Sequence, residues 1–207
     1  LPLVAALSLL VLSSNAWAQS TKRLIDEVNP FIGTSNFGTT NPGAVVPNGL
    51  MSITPFNVSG SPELNKFDKD KRWWSTPYTA DNKFFSGFSH VNLSGVGCPE
   101  LGSIIVSAST GDLDVDYTHY GSAMSQEKAH PGYYSVQLDK HKIKAEVTAT
   151  QRTAVSAFTF ERGGKSNILV NLGLGLTNES GATVRFLNDS TIVGSKLMGT
   201  FCYAPQA

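Results

Sequence analysis

The chain has 207 residues, 41% hydrophobic and 15% charged, and its sixteen basic residues are balanced by sixteen acidic ones. That neutral balance argues against nucleic acid or an anionic membrane surface as a partner. Nineteen glycines and ten prolines in an otherwise ordinary apolar composition fit a turn-rich β protein of about one domain.

Leu1 to Leu12 is almost wholly apolar, and Ser13-Ser14-Asn15 then leads to Ala16-Trp17-Ala18 before Gln19. This is the h-region and small-residue cleavage pattern of a secretory signal peptide. A buried helix is the competing reading, and the run falls short of the ~20 residues a membrane span needs. The basic n-region and initiator Met are missing, so residues 1–18 read as a signal peptide truncated at its N-terminus. The mature chain is expected to begin near Gln19 and to be secreted or periplasmic. Export bears on Cys98 and Cys202. In an oxidising compartment they could pair, or they stay as two separate half-buried thiols. Neither has a second Cys or His nearby, so no zinc spacing is present.

Val28 to Thr34 precedes a polar Gly/Asn/Thr stretch, followed by Asn41-Pro42-Gly43-Ala44 and Pro47-Asn48-Gly49. Pro-Gly and Asn-Gly pairs are turn signals, with φ fixed at Pro and free at Gly. Leu50 to Thr54 alternates and reads as a short strand. Residues 61–86 are the most irregular part: a charged Lys66 to Arg72, then Trp73-Trp74, Pro77-Tyr78 and Phe84-Phe85. Such rings either stack on sugar faces from an exposed loop or cap the core.

Gly87 to Gly102 is glycine-rich and nearly uncharged, with Ser89, His90, Asn92, Ser94 and Cys98 among its glycines. Its neutral donors and acceptors suit a hydroxylated ligand better than a phosphate. The plainer reading is a tight loop joining two strands. Beyond it, Ser103 to Ala108, Tyr133 to Leu138, Ile143 to Arg152, Val155 to Glu161, Asn167 to Leu172, Ala182 to Leu187, Thr191 to Val193 and Thr200 to Tyr203 read as strands. Turn residues separate them, which predicts an all-β sandwich or barrel. His119, His130 and His141 read as surface or turn residues. No nucleophile elbow, phosphate loop or metal-ligand histidine spacing occurs. The carboxylates are scattered and single out no glycosidase pair.

Several of these segments together resemble glycoside hydrolase family 92, the exo-acting, calcium-dependent α-mannosidases. They are Val28 to Thr34, Pro42-Gly43-Ala44 with Pro47-Asn48-Gly49, Gly87 to Cys98, Glu127 with Pro131 to Val136, and Ala145 to Thr150 with Arg152. They keep the family's order over residues 28–203. Asn92 stands where members often have a second histidine, and Val96 where they often have threonine.

The resemblance implies an antiparallel β-sandwich of galactose-mutarotase-like type over residues 19–207, incomplete at its C-terminal end. It also implies a following (α/α)6 barrel that carries the acid, the bases and the calcium ligands. No catalytic residue or metal ligand is therefore assigned to this chain. Its expected contribution to binding mannose-containing glycans is Trp73, Trp74, Tyr78, His90, Asn92, Ser94, Gly95, Gly97 and Cys98. The implied chemistry is inverting hydrolysis of terminal α-mannosides, with this chain inactive by itself. A free-standing carbohydrate-binding or structural sandwich is the alternative.

Overall fold

A computed structural model describes residues 23–58, 74–95, 97, 99, 101–161, 163–176 and 178–199. The signal-peptide segment, the charged Lys66 to Arg72 run, Trp73, Cys98, Cys202 and the strand expected at Thr200 to Tyr203 lie outside the described residues. After a single 3-10 turn at Leu24–Glu27, the described elements are strands. The first five are β1 (Ala44–Val45), β2 (Ser52–Phe56), β3 (Phe84–Phe85), β4 (Gly87–Asn92) and β5 (Leu101–Thr110). Next come β6 (Ser122–His130), β7 (Tyr133–Leu138), β8 (Ile143–Ala149), β9 (Ala154–Phe160) and β10 (Ser166–Asn171). The last two are β11 (Asn178–Asn188) and β12 (Thr191–Gly199).

They form two five-stranded antiparallel sheets, ordered β1-β2-β4-β5-β10 and β3-β6-β7-β8-β9, and a separate β11-β12 hairpin. The two large sheets bury their inner faces against each other. Ala44, Ile53, Phe88 and Ala108 of the first meet Met124, Tyr134, Val136, Leu138, Ile143, Ala145 and Val147 of the second. Strand β8 shows how the sequence specifies this: Ile143, Ala145, Val147 and Ala149 are buried while Lys144 and Thr148 are exposed. A period of two places every second residue on one face. Phe88 ties the layers together, with its ring 4.9 Å from that of Phe85 and 6.1 Å from that of Tyr134. Burying such a ring contributes about 2–3 kcal/mol. A smaller cluster of Phe56, Val58, Trp74 and Ile105 fills one side of the first sheet. Pro55 lies in β2 beyond the reach of the two-residue β1, which pairs only Ser52 and Ile53, so its missing N–H breaks no ladder bond to β1.

The architecture is the all-β antiparallel sandwich the turn pattern predicts, with differences in detail. Gly87 to Gly102 was expected as one loop, but Gly87–Asn92 is a strand paired with β2, and Leu101-Gly102 already belongs to β5. Ladder bonds on both sides outweigh the poor strand propensity of Gly, Ser, His and Asn. Ser122–His130, which carries no clean alternation, is a full strand. His141 departs from the surface reading: only 7% exposed, it sits at the turn between β7 and β8.

Candidate functional site

His90 lies near the end of β4, opposite Ile53 of β2 and Ser103 of β5. Between the pairs Phe88–Val106 and His90–Ser103, β5 takes three steps for two of β4. This is a β-bulge, and it places Ile104 at φ +51°. Bulges of this kind re-aim backbone groups at sheet ends. Here the bulge turns the Ile104 carbonyl onto His90 Nδ1 at 2.7 Å. A carbonyl only accepts, so Nδ1 carries the ring proton, and Nε2 of the neutral ring is an acceptor. Burial lowers the pKa of His90 below its ordinary value, with the Ile104 bond working in the opposite direction. The neutral ring is therefore the favoured form.

Val91, next to His90, has φ +57°. A β-branched residue in the left-handed region costs roughly 1–2 kcal/mol, so Val91 and Ile104 concentrate backbone strain on both sides of one side chain. Strain of this sort persists only where the surroundings impose it, and it gathers at functional sites.

The surroundings are a set of neutral bonds. Asn92 donates from Nδ2 to the carbonyls of Ser52 (3.2 Å) and Ser89 (3.1 Å), and its Oδ1 accepts from Ser89 Oγ at 2.8 Å. Its backbone N–H donates to Ser52 Oγ at 2.7 Å. Asn92 is thus a brace between β4 and β2. Downstream, Asn41 donates to the Leu93 carbonyl at 3.3 Å and accepts from Thr54 Oγ1 at 2.7 Å. The Gly95 N–H donates to the Thr39 carbonyl at 2.7 Å. Gly95 has φ +78°, a conformation glycine adopts freely. Gly43 lies against Thr54, where a Cβ would overlap its hydroxyl. The polar Thr39–Gly43 stretch therefore latches the residues after β4 to the sheet. The spacing of Asn41 in the sequence carries no sign of this role. Ser94, Gly95 and Gly97 remain exposed.

Of the expected site residues, the structure brings His90, Asn92, Ser94, Gly95 and Gly97 into one stretch of neutral groups. Trp74 and Tyr78 are placed differently: both are buried, at 7% and 1% exposure, so neither presents an exposed ring. Trp74 stacks on Phe37 with ring centres 5.4 Å apart. Tyr78 donates its hydroxyl to Glu127 Oε2 at 2.7 Å, Tyr134 donates to the same oxygen at 2.8 Å, and Lys83 Nζ lies 3.2 Å from Oε1. A bulge in β6, with Gln126 at φ +52° and a register slip between Ser125 and Lys128, accompanies the inward turn of Glu127. Burial first, and the Glu127 charge second, push both tyrosine hydroxyls well above their ordinary range. This clamp holds the segment that leads into β3 and β4. Trp73 and Cys98 lie outside the described residues.

His141 is a second structural histidine. Its Nε2 lies 2.8 Å from the Tyr120 carbonyl and so carries the proton, while Nδ1 accepts from the Thr110 N–H at 3.3 Å. Burial lowers its pKa. Among the described residues, no three His, Cys, Asp or Glu side chains converge as a metal site. No helix among them is long and apolar enough to cross a membrane.

The family model described as the glycosyl hydrolase family 92 N-terminal domain matches residues 27–207. An uncharacterized secreted glycosidase of Arthroderma benhamiae is 29% identical over 178 residues, which is 79% of this chain and 21% of that protein. The structure of a family GH92 α-mannosidase from Bacteroides thetaiotaomicron superimposes with a TM-score of 0.75 at 31% identity, over 86% of this chain and 24% of that one. A second GH92 family glycosyl hydrolase gives a TM-score of 0.68 at 27% identity, over 88% and 25%. The chain thus spans between a fifth and a quarter of the length of these relatives.

Proposed function

The chain belongs to glycosyl hydrolase family 92 through its N-terminal domain, and from that membership we propose that it is the sandwich part of a secreted α-mannosidase acting on terminal α-mannosides of glycans. The observation that carries this reading is the pairing of the family match with a neutral, strained site around His90. Neutral acceptors and donors recognise sugar hydroxyls without attracting phosphate or metal.

In this reading the neutral His90 ring accepts a hydrogen bond from a sugar hydroxyl at Nε2 while Nδ1 donates to the Ile104 carbonyl. Ser94 and the exposed backbone at Gly95 and Gly97 border the same sugar, with Trp73 and Cys98 as further candidates. Asn92, Asn41 and the Glu127 clamp hold these groups in place. The acid that protonates the departing oxygen and the base that activates water belong to the remainder of the protein, and hydrolysis proceeds with inversion. Calcium, when bound there, would hold sugar hydroxyls.

The test is mannose release from simple α-mannosides by the full-length gene product, with calcium and after chelation, beside residues 19–207 alone. Calcium-dependent release by the long form only is the expected result. No release by either, with mannosides still binding the 19–207 chain, would replace this reading with a free-standing carbohydrate-binding module. In the full enzyme, His90→Asn keeps a donor for Ile104 and removes the Nε2 acceptor. It should lower turnover by up to ~10-fold, the scale of one lost charge-neutral hydrogen bond, with unchanged thermal stability.

A further inference from the structure

A polar groove of about 140 Å³ is lined by Gln126 and Lys128 of β6, Tyr133, Ser135 and Gln137 of β7, and Lys144 of β8. It belongs to the second sheet, whereas His90 belongs to the first. Tyr134, Val136 and Leu138 point into the core, so the alternate residues of β7 face outward. Lys128 stands opposite Ser135 and Lys144 opposite Gln137, so two ammonium groups flank β7, one from each side. The bulge in β6 sets the charge of this face. Met124 is buried in the core, and unbroken alternation from it would place Glu127 outward and Gln126 and Lys128 inward. The slip between Ser125 and Lys128 reverses this. Glu127 turns in to Tyr78, Tyr134 and Lys83, while Gln126, at φ +52°, and Lys128 come out onto the groove. Bulges re-aim side chains in this way beside functional sites.

The two lysines differ in how they are matched. Lys144 Nζ lies 2.9 Å from Glu146 Oε1, which also accepts from the Tyr133 hydroxyl at 2.6 Å. The bonds from Tyr133 and Lys144 hold the Glu146 carboxyl below its ordinary range, so Glu146 stays ionised and neutralises Lys144. Lys128 has no acidic partner among the described residues. Gln137 donates its amide to Glu161 Oε1 at 2.9 Å, which leaves its own Oε1 as an acceptor. We propose that this groove is a second ligand site, taking the carboxylate of an acidic sugar. One unmatched positive charge calls for a monoanion, whereas a phosphate monoester carries about 1.5 to 2 negative charges near neutral pH. The carboxylate accepts from Lys128 Nζ and the Gln126 amide, and hydroxyls of the same sugar donate to Gln137 Oε1 and the Tyr133 oxygen. The proposal does not depend on which glycoside is cleaved.

The experiment is a titration of the full gene product with glucuronate, read by saturation-transfer NMR of the sugar, beside glucose and glucose 6-phosphate. Glucuronate should bind at least ~10-fold more tightly than glucose, the scale of one hydrogen bond to a charged group, and added salt should weaken it. Lys128→Gln should lower glucuronate affinity by the same factor and leave the melting temperature and α-mannoside turnover unchanged. His90→Asn should leave glucuronate binding intact, so the two sites are tested separately. Absence of glucuronate binding, equal binding of glucose, or unchanged affinity in Lys128→Gln overturns the proposal. Tighter binding of glucose 6-phosphate assigns the groove to a phosphate and overturns it as well.

Discussion

At His90 and His141 the same physics has two uses. Each ring donates one N–H to a carbonyl, of Ile104 and of Tyr120, and burial lowers the pKa of each. A histidine whose pKa is lowered by folding binds fewer protons in the native state than in the unfolded one. Its contribution to stability is fully present above the unfolded value of about 6.5 and is lost as pH falls from there through the folded value. Melting temperature should therefore drop on acidification below that point, and His141→Gln should flatten the drop in part, leaving the share due to His90. Nitrogen chemical shifts should show the proton on Nδ1 of His90 and on Nε2 of His141. Ile104 allows a separate test of strain. Its side chain is 40% exposed and its φ is +51°, and asparagine tolerates that conformation. Ile104→Asn should raise stability by about 1 kcal/mol in urea unfolding while the backbone carbonyl keeps its bond to His90.

Among the elements, β6 and its Glu127 clamp set the strongest local constraint. Two buried hydroxyls share one carboxylate oxygen, so Tyr78→Phe should cost about 1 kcal/mol. Glu127→Ala should cost about 2–4 kcal/mol, because it leaves both hydroxyls and Lys83 without their acceptor. A double-mutant cycle between positions 78 and 127 should show coupling above about 0.5 kcal/mol. This element was hard to read in the sequence. The bulge at Gln126 breaks the period of two, and Glu127 on an inward-turned position looks like any surface carboxylate. Strand β7, by contrast, falls on Tyr133–Leu138 as its alternation predicts. The site was legible as a stretch of residues but not as a geometry. Glycines, Ser, His and Asn marked Gly87 to Gly102, yet nothing there indicates that its first third is a strand or that Asn41 latches it. The aromatic residues stayed open between two readings for a simple reason: tyrosine and tryptophan have the same letters whether they stack on a sugar or fill a core. Here Tyr78 and Trp74 are buried.

Across the whole molecule, stability rests on the contact between the two sheets and much less on surface charge. Phe88→Ala should cost about 3–5 kcal/mol by leaving a cavity between the layers. Breaking the exposed Lys165–Asp112 pair with Lys165→Ala should cost less than about 1 kcal/mol. Thermal melts of both variants check the contrast. The two sheets also differ in how their strands are ordered along the chain. In β6-β7-β8-β9 each strand pairs with its successor, whereas β5 waits for β10 across the whole of that meander. Loop closure over long separations is slow, and local hairpins form early. During synthesis the meander can therefore nucleate by itself, and β4 can pair with β5 as a local hairpin, while the other edge of β5 stays open until late-arriving β10 closes it. That far edge of β5 is then the last part of its sheet to close, so lesions that merely slow maturation would leave it open in molecules whose second sheet is already native.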